Sequence, residues 1–240
     1  MSHAEVERLC RKVLAALGMA GGIERDAALA VLWLEARGLG GLARLRAALP
    51  ALAEAHDAAP AALAASGGET RYDAHGQCAL LVAPSLVDVA RAGAERSASC
   101  MHRVVVERTA DPLFALAVAA IAGPPEAAFR LRWREHEGAR AARVAADGTV
   151  SIERASGGDA ALVIECMLGR AAGADDAAAR GAAIEIDAAT LEARRGESLA
   201  RGIAVDGDDW QALSAVAAGA LVPDTADSHE RGAGGGRYDD

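Results

Sequence analysis

The chain has 240 residues, with 25 basic and 34 acidic side chains and a formal net charge of −9. This acidic balance excludes a general binder of nucleic acids or of anionic membranes, because both need clustered positive charge. The length is sufficient for one large domain or two small ones with a hydrophobic core that needs no disulfide or metal.

The composition is biased in a way that excludes several reaction classes. The chain contains 63 alanines, 24 arginines, no asparagine and a single lysine, Lys12, which is typical of a GC-rich coding sequence. Lys12 follows Arg11, and no glycine loop precedes it, so a phosphate-binding loop of the Walker type is excluded. Schiff-base chemistry and kinase-type phosphate anchoring also need a lysine in a pocket.

The N-terminal segment carries charges such as Glu5, Arg8 and Lys12 within its apolar pattern, so it does not read as a secretion signal. The longest uncharged apolar runs have about 14 residues, whereas a membrane-spanning helix needs about 20. Four cysteines without a secretion signal indicate reduced thiols. We therefore expect a cytoplasmic protein without a membrane segment.

The first third of the chain is predicted to be helical. Apolar residues recur at intervals of three and four between Val6 and Leu17, and Gly18 is a suitable end for this helix. A second helix is expected at about residues 24–37 and a third at 42–56, where Pro50 would kink or split it. Such short amphipathic helices are expected to pack together or on the part that follows.

The region from residue 66 onwards changes character. Residues 66–76 show no apolar period and predict a loop or linker. The short apolar run 78–83 predicts a strand, with Pro84 opening a helix at 85–92. We further expect a strand at 104–106 and a helix at 113–122.

The strongest β signals follow. Phe129, Leu131 and Trp133 alternate with arginines, and Asp147-Gly148 predicts a hairpin turn. Residues 161–168 resemble a central strand, 183–186 a further strand, and the region around Trp210 a last helix. The predicted fold is α+β: a helical N-terminal segment (1–66), a linker (67–76), an α+β body (77–222) with a mixed, largely antiparallel sheet flanked by helices, and a glycine-rich tail (223–240).

Two segments resemble an uncharacterised bacterial family, Domain of Unknown Function 3726. The segment from Val222 to Gly236 is similar to its closing signature of Val-Pro, a Ser-Arg pair and alternating glycines, and 33–39 (Trp-Leu-Glu-Ala-Arg-Gly-Leu) is similar to its Trp…Arg-Gly-Leu segment. This sequence departs from the pattern at His229, where the family has arginine, and at Gly235, where it has alanine. The resemblance implies a bacterial protein of about this size and no known activity.

The segment 35–45 (Glu-Ala-Arg-Gly-Leu-Gly-Gly-Leu-Ala-Arg-Leu) is also similar to the early helical region of the malate/L-lactate dehydrogenases that lack a Rossmann fold. That family carries Ser-His-Gly in this turn, and its histidine acts in catalysis. Here the turn is shorter, and no histidine occurs between His3 and His56. The resemblance therefore implies that this chain lacks the family's acid/base group.

Three groups of side chains are candidates for chemistry. Alternate arginines at 130, 132 and 134 lie on one strand face, where they can bind an anion or pair with Glu153 or Glu165 on a neighbouring strand. The second group comprises two His/Cys pairs: His75 with Cys78, and Cys100 with His102. Together they can form a zinc site or be ordinary buried thiols and solvent-facing histidines. We predict no metal and no cofactor.

The third group is the tail, which is either mobile or folds over a pocket or a partner. Its glycine string does not follow a strand or open a helix, so it is not a dinucleotide fingerprint. With the arginine of the 33–39 segment, the candidate ligand- or partner-binding residues are Arg37, Ser228, His229, Arg231, Gly232 and Gly234.

The main interpretation of the sequence is a non-catalytic accessory or binding component of a metabolic pathway, acting through a protein partner or a small anionic metabolite. The alternative is an enzyme or enzyme subunit that acts on a small anionic metabolite through an arginine-lined pocket, with His229 or His102 as the acid/base group. A complete catalytic constellation is missing from the sequence, which favours the first.

Overall fold

The computed structural model describes residues 1–19, 22–54, 59–123, 126–135, 138–155, 161–169, 171 and 184–219. Helices and strands alternate along these residues. The helices are α1 (His3–Ala16), α2 (Ile23–Glu35), α3 (Gly41–Glu54), α4 (Ala79–Arg96), α5 (Leu113–Ala122), α6 (Ala188–Arg201) and α7 (Gly207–Ala218). The strands are β1 (Ala61–Ser66), β2 (Glu69–Asp73), β3 (Met101–Glu107), β4 (Ala127–Glu135), β5 (Gly138–Val144), β6 (Val150–Arg154), β7 (Leu162–Leu168) and β8 (Ile184–Ile186).

The strands form one mixed sheet in the order β1-β2-β3-β7-β4-β5-β6-β8. Only the β2–β3 pair is parallel among the pairs described, and the other neighbours run antiparallel. The α+β class and the largely antiparallel sheet predicted from the sequence are therefore confirmed.

The alternating pattern of β4 sets which sheet face is buried. Phe129, Leu131 and Trp133 are at most 2% exposed and face the core. The alternate positions face the other side, where Arg132 Nη2 lies 3.4 Å from Glu165 Oε2 on the neighbouring β7. The arginine row thus meets a carboxylate across strands, as one of the two sequence interpretations predicted.

The predicted hairpin and central strand are also present. The Ala145 amide donates to the Thr149 carbonyl at 2.8 Å, and the Gly148 amide donates to Ala145 at 2.9 Å, which closes the turn between β5 and β6. Gly148 has a φ of 85°, a conformation that glycine adopts at little cost. β7 lies between β3 and β4 in the middle of the sheet.

The prediction of a strand at 78–83 is wrong, because these residues begin α4. Pro84 lies inside the helix instead of opening it. A proline there removes one backbone donor, and the adjacent Ser85 hydroxyl donates to the Val82 carbonyl at 3.0 Å. An apolar run of six residues is equally compatible with a buried strand and a buried helix segment.

Three further elements differ from the expectation. Residues 61–66, which belong to the segment predicted to be helical, form the strand β1. Residues 69–73, expected to be a loop, form β2, whose polar side chains lack an apolar period because they lie near the sheet edge. α6 was not predicted, since only Leu191 and Ser198 of its 14 residues are buried. The division of the chain at residues 67–76 stays a prediction.

α4, α5 and α6 contact the sheet, and the other helices pack on one another and, through α2, on α4 and α5. α4 packs on β3, β7 and α5, while α2 packs on α1, α3 and α5, and α7 packs on α1 and α3. The most deeply buried side chains include Leu34, Leu45, Leu80, Phe114 and Phe129. Among the described residues, no helix combines the length and the apolar composition that crossing a bilayer requires.

The corner at the end of β2 is held by a carboxylate. The Asp73 carboxylate accepts hydrogen bonds from Nε of Arg108 at 2.8 Å, from Nη2 of Arg108, and from the backbone amide of His75 at 2.8 Å. His75 and Arg108 have φ values of 52° and 53°, an unusual conformation for residues other than glycine. The Arg108 hydrogen bonds and the His75 amide lower the pKa of Asp73 to about 2.

We expect Asp73→Asn to lower the free energy of unfolding at pH 7. The difference in stability between the variant and the wild-type protein should become smaller in acid. A carboxyl whose folded pKa lies below its unfolded value of 3.8 stabilises the fold above the unfolded pKa. That contribution is lost as the pH falls from about 4 through 2. Urea denaturation of both proteins at pH 7, 4 and 3 measures the difference, and a difference independent of pH would contradict this assignment.

Candidate functional site

The turn between α2 and α3 places two arginines on either side of a short glycine-rich segment. After α2 ends, the Leu39 amide donates to the Leu34 carbonyl at 2.9 Å and closes the turn. Gly38 and Gly40 have φ values of 65° and 68°, which favour glycine. Arg37 precedes the turn and Arg44 follows it in the first turns of α3.

The start of α3 lies directly against α2. A Cβ on Gly41 would be 2.1 Å from the Val31 carbonyl oxygen and 2.9 Å from the Glu35 amide nitrogen. The Glu35 carboxylate accepts the Leu42 amide at 2.8 Å, which satisfies one of the unpaired donors at the N-terminus of α3. Burial raises the pKa of Glu35 above its usual value.

Arg37 is a buried cation with an incomplete set of partners. It is 8% exposed, and its guanidinium carbon lies 4.1 Å from the centre of the Trp33 ring. Nη2 lies 3.0 Å from Glu192 Oε1 on α6, and Nη1 lies 3.5 Å from the Trp33 carbonyl. Its Nε is buried without a hydrogen-bond partner, and burial lowers the pKa of Arg37.

Arg37 lines a groove between α2, the end of α5 and α6, here called the Arg37 groove, with a volume of about 230 Å³. Its polar lining consists of Arg37, Arg195 and His3. Arg195 Nη1 lies 3.0 Å from Glu192 Oε2, and His3 Nε2 lies 3.2 Å from the Ser198 hydroxyl. The apolar lining is Leu29, Leu32, Trp33, Ala36, Ile121 and Leu199.

Arg44, on the other side of the turn, belongs to a chain of alternating charges. Its guanidinium nitrogens lie 3.4 Å from Asp111 Oδ1 and 3.5 Å from Glu135 Oε1. Arg140 Nε lies 3.1 Å from Glu135 Oε2, and Arg140 Nη1 lies 3.4 Å from Glu185 Oε1. Three carboxylates thus pair with two guanidinium groups. The two positive charges are therefore compensated within the cluster, which does not favour binding of an anionic ligand there.

Arg37 is the predicted site residue that the structure describes, and it lines a groove; its role in binding stays a prediction. The remaining predicted site residues lie outside the described residues: Ser228, His229, Arg231, Gly232 and Gly234. Glu192 and Arg195 were missed because α6, which carries only two large apolar residues, Leu191 and Leu199, was not predicted. Arg44 lies in the 35–45 segment, but its partners are 67 and 91 residues away in sequence.

The His/Cys pairs have other environments. His75 lies 3.6 Å from the Asp73 carboxylate, and His102 lies 3.2 Å from the Thr70 hydroxyl. Cys78 is buried whereas Cys100 is exposed. The described part of the chain contains no group of three or more His, Cys, Asp or Glu side chains placed to hold a metal ion.

The buried thiols are poor nucleophiles. Burial raises the pKa of Cys10, Cys78 and Cys166 to about 12. Since the thiolate is the reactive form, these side chains are unreactive at neutral pH. They serve as small apolar groups in the core.

Comparison with known structures identifies the fold. A dehydrogenase from Sinorhizobium meliloti matches with a TM-score of 0.65 at 14% identity, over 90% of this chain and 98% of the other. Malate dehydrogenase from Pyrococcus horikoshii matches with a TM-score of 0.68 at 9% identity, over 92% and 95%. Delta1-piperideine-2-carboxylate reductase from Pseudomonas syringae matches with a TM-score of 0.61 at 12% identity, over 90% and 99%.

At these identities the similarity concerns the fold. No significant match is found among curated proteins. The model of one protein family, described as a protein of unknown function (DUF3726), matches residues 1–78, which include α1, α2, α3 and the Arg37 turn. The chain therefore has the fold of these dehydrogenases and reductases, and its first third resembles the DUF3726 family.

Proposed function

We propose that this protein is an enzyme, or a subunit of one, that acts on a small anionic metabolite bound in the Arg37 groove. The observation that carries the proposal is the buried Arg37 guanidinium, which lines a groove and keeps a donor without a partner. Burying a cation with an unsatisfied donor costs free energy unless a partner compensates it. A carboxylate bound in the groove adds an anionic partner to this buried cation, because its two oxygens match the guanidinium geometry.

The fold comparisons support an enzyme that acts on small anionic substrates over a purely structural protein. The similar structures are named for malate, for sulfolactate and for piperideine-2-carboxylate. Each of these compounds carries a carboxylate. Fold alone does not determine function, so the Arg37 groove is the main support for the proposed activity, and the shared fold adds to it.

A dehydrogenase passes a hydride from its substrate to a cofactor, and a reductase takes one from the reduced cofactor, which is commonly a nicotinamide dinucleotide. The pyrophosphate of such a cofactor is commonly bound by free backbone amides at a helix N-terminus. The glycines before α3 have the form of such a turn, but Glu35 already accepts the Leu42 amide and α2 abuts Gly41. This turn does not fit a pyrophosphate, and the Arg37 groove is proposed as a site for the metabolite alone.

The second candidate is the non-catalytic binding component predicted from the sequence. One observation favours it: the turn between α2 and α3 carries glycines where the resembling dehydrogenases carry a catalytic histidine. Both candidates share a cytoplasmic location in a bacterium, which is consistent with an exposed free thiol at Cys100. They differ in whether the bound anion is converted.

Isothermal titration of the full chain with 2-oxobutanoate, L-malate and phosphate tests the shared part of the proposal. At least one anion is expected to bind, and neutral butanone is expected not to bind. Arg37→Met keeps the apolar stem and removes the charge, so it should weaken anion binding about tenfold or more, because a charged hydrogen bond contributes roughly 1.5–3 kcal/mol. Arg201→Met, a change at an exposed arginine of α6, is the matched control.

Glu192→Gln separates ligand binding from a purely structural ion pair. Removing the competing carboxylate leaves Arg37 more available, so anion binding should become tighter. If Arg37 served only to hold α6, Glu192→Gln would destabilise the protein without changing anion binding. Absence of binding by all three anions, or binding that Arg37→Met leaves unchanged, would overturn the proposed function.

Turnover separates the two candidates. The full chain is incubated with 2-oxobutanoate and either NADH or NADPH, and absorbance at the nicotinamide band is followed. Oxidation that Arg37→Met abolishes supports the enzyme. Binding of the anion without oxidation supports the non-catalytic component.

A further inference from the structure

We infer that His3 is a second anion-binding side chain of the Arg37 groove and that it binds the anion in its protonated form, so that binding takes up a proton. This inference rests on the proposed function and adds a residue and a pH dependence to the same site. It follows from the hydrogen bonds of the imidazole, from the contacts that hold it in place, and from the charges around it.

The hydrogen bonds of Ser198 determine which ring nitrogen of His3 carries a proton. The Ser198 hydroxyl donates to the Arg195 carbonyl at 2.7 Å, which uses its single proton. Its oxygen lies 3.2 Å from His3 Nε2 and accepts there, so Nε2 is the protonated nitrogen of the neutral ring. Nδ1 is then the nitrogen that takes up a second proton and becomes a donor. Among the described residues, Nδ1 has no hydrogen-bond partner.

The backbone on both sides of His3 is held in place. Ser2 caps α1: its hydroxyl accepts the Glu5 amide at 3.2 Å, and the Glu5 carboxylate accepts the Ser2 amide at 2.7 Å. The Met1 carbonyl accepts the Ile203 amide at 2.7 Å, and the Met1 amino group donates to the Ile203 carbonyl at 2.9 Å. Both anchors act on residues next to His3, so the imidazole has a defined position beside α6.

A continuous row of contacts along α6 connects His3 to Arg37. Ser198, which contacts His3, also bonds to the Arg195 carbonyl. The Arg195 guanidinium lies 3.0 Å from Glu192 Oε2, and Glu192 Oε1 lies 3.0 Å from Arg37 Nη2. His3, Arg195 and Arg37 are the polar lining of the groove. An anion at the buried Arg37 guanidinium therefore lies in the groove that the imidazole also lines.

The charges at the groove favour a proton on His3 once an anion is bound. Among the described side chains, the guanidinium groups of Arg37 and Arg195 share the single carboxylate of Glu192, so one positive charge remains uncompensated. A bound anion compensates this charge, and a negative charge close to an imidazole favours its protonated form. The protonated Nδ1 then donates a charge-assisted hydrogen bond to the anion.

The residue types around His3 leave the imidazole as the group that titrates near neutral pH. Carboxylates and guanidinium groups ordinarily keep their charge between pH 6 and 8, whereas imidazole ordinarily changes its charge there. The charged side chains that approach His3 or follow it on its own helix are Arg37 of α2, Arg195 and Glu192 of α6, and Glu7 one turn further along α1. The part of the lining that α5 contributes is the apolar Ile121.

Isothermal titration of the full chain with 2-oxobutanoate and L-malate at pH 6, 7 and 8 tests this inference, because both acids stay largely ionised over that range. The affinity should fall about tenfold or more from pH 6 to pH 8, since a charged hydrogen bond is lost with the proton. His3→Gln keeps a donor for Ser198 but carries no charge, so its affinity should be low and independent of pH. His75→Gln, at an exposed histidine outside the groove, is the matched control.

Two further measurements address the proton itself. Titrations at pH 7 in two buffers of different ionisation enthalpy count the protons taken up. The wild-type protein should take up a fraction of one proton for each anion bound, and His3→Gln should take up none. The ¹⁵N chemical shifts of the imidazole at pH 8 report its tautomer, and the His3 signals should be those of the Nε2–H form. Urea denaturation of His3→Gln shows whether the variant is folded.

The outcomes distinguish this inference from the proposed function. Anion binding that Arg37→Met weakens, but that neither pH nor His3→Gln changes, overturns the inference and leaves the anion site in place. Proton uptake that persists in His3→Gln, or an Nδ1–H tautomer of His3, also overturns the inference. Absence of binding by either carboxylate at pH 6 overturns it as well, and the absence of phosphate binding in addition overturns the proposed function.

Discussion

Replacing Gly41 by alanine is expected to lower the free energy of unfolding by about 3 kcal/mol or more. The added Cβ would lie 2.1 Å from the Val31 carbonyl oxygen and 2.9 Å from the Glu35 amide nitrogen. Both are backbone atoms of α2, so no side-chain rotation can relieve the contact. The two helices have to separate, and the hydrogen bond from the Leu42 amide to Glu35 is lost with the contact.

Urea denaturation followed by circular dichroism measures this loss. Gly196→Ala is the matched control, since a Cβ on Gly196 meets nothing within 4 Å in the middle of α6. That substitution should raise stability by about 0.5–1 kcal/mol, because alanine loses less conformational freedom in a helix than glycine. Equal denaturation midpoints for Gly41→Ala and the wild-type protein would contradict the close approach of α2 and α3.

Gly41→Ala also bears on the proposed site. Arg37 lies four residues before Gly41, and its Nη2 reaches Glu192 on α6. A displacement of the turn by even one ångström would move Arg37 away from Glu192 and out of its place in the groove lining. We therefore expect the folded fraction of Gly41→Ala to bind carboxylates more weakly than the wild-type protein.

The elements that the sequence predicted correctly have local causes. The alternation around Phe129 and the Asp147-Gly148 turn are set by neighbours within a few residues, so they can be read without knowing the fold. The prediction of a strand at 78–83 was wrong for a different reason. Its apolar residues are buried against β3 and β7 in the folded protein, and burial on all sides removes the period that separates a helix from a strand.

The candidate site was only partly visible in the sequence for a similar reason. Arg37 stood out because of its place in the segment that resembles known families. Its partner Glu192 is 155 residues away, and α6, which carries Glu192, buries only Leu191 and Ser198. The Arg44 cluster needs β4, β5 and the loop before α5 to meet, a juxtaposition that only the sheet topology creates.

Gly93→Ala is expected to destabilise the protein by about 1–3 kcal/mol through contact with His102. A Cβ on Gly93 in α4 would lie 2.3 Å from the His102 Cγ and 2.4 Å from its Cδ2. His102 is held in place on β3, because its Nε2 lies 3.2 Å from the Thr70 hydroxyl on β2. The ring therefore cannot turn away without losing this hydrogen bond.

A double-mutant cycle tests whether the ring is the cause. His102→Ala alone should cost about 1 kcal/mol, since it removes the hydrogen bond to Thr70. In His102→Ala/Gly93→Ala the alanine Cβ occupies space that the ring has vacated, so the double variant should be more stable than the sum of the two single losses predicts, by about 1 kcal/mol or more. Urea denaturation of the four proteins gives the coupling energy directly. Additive losses would mean that α4 meets β3 through contacts other than the Gly93–His102 pair.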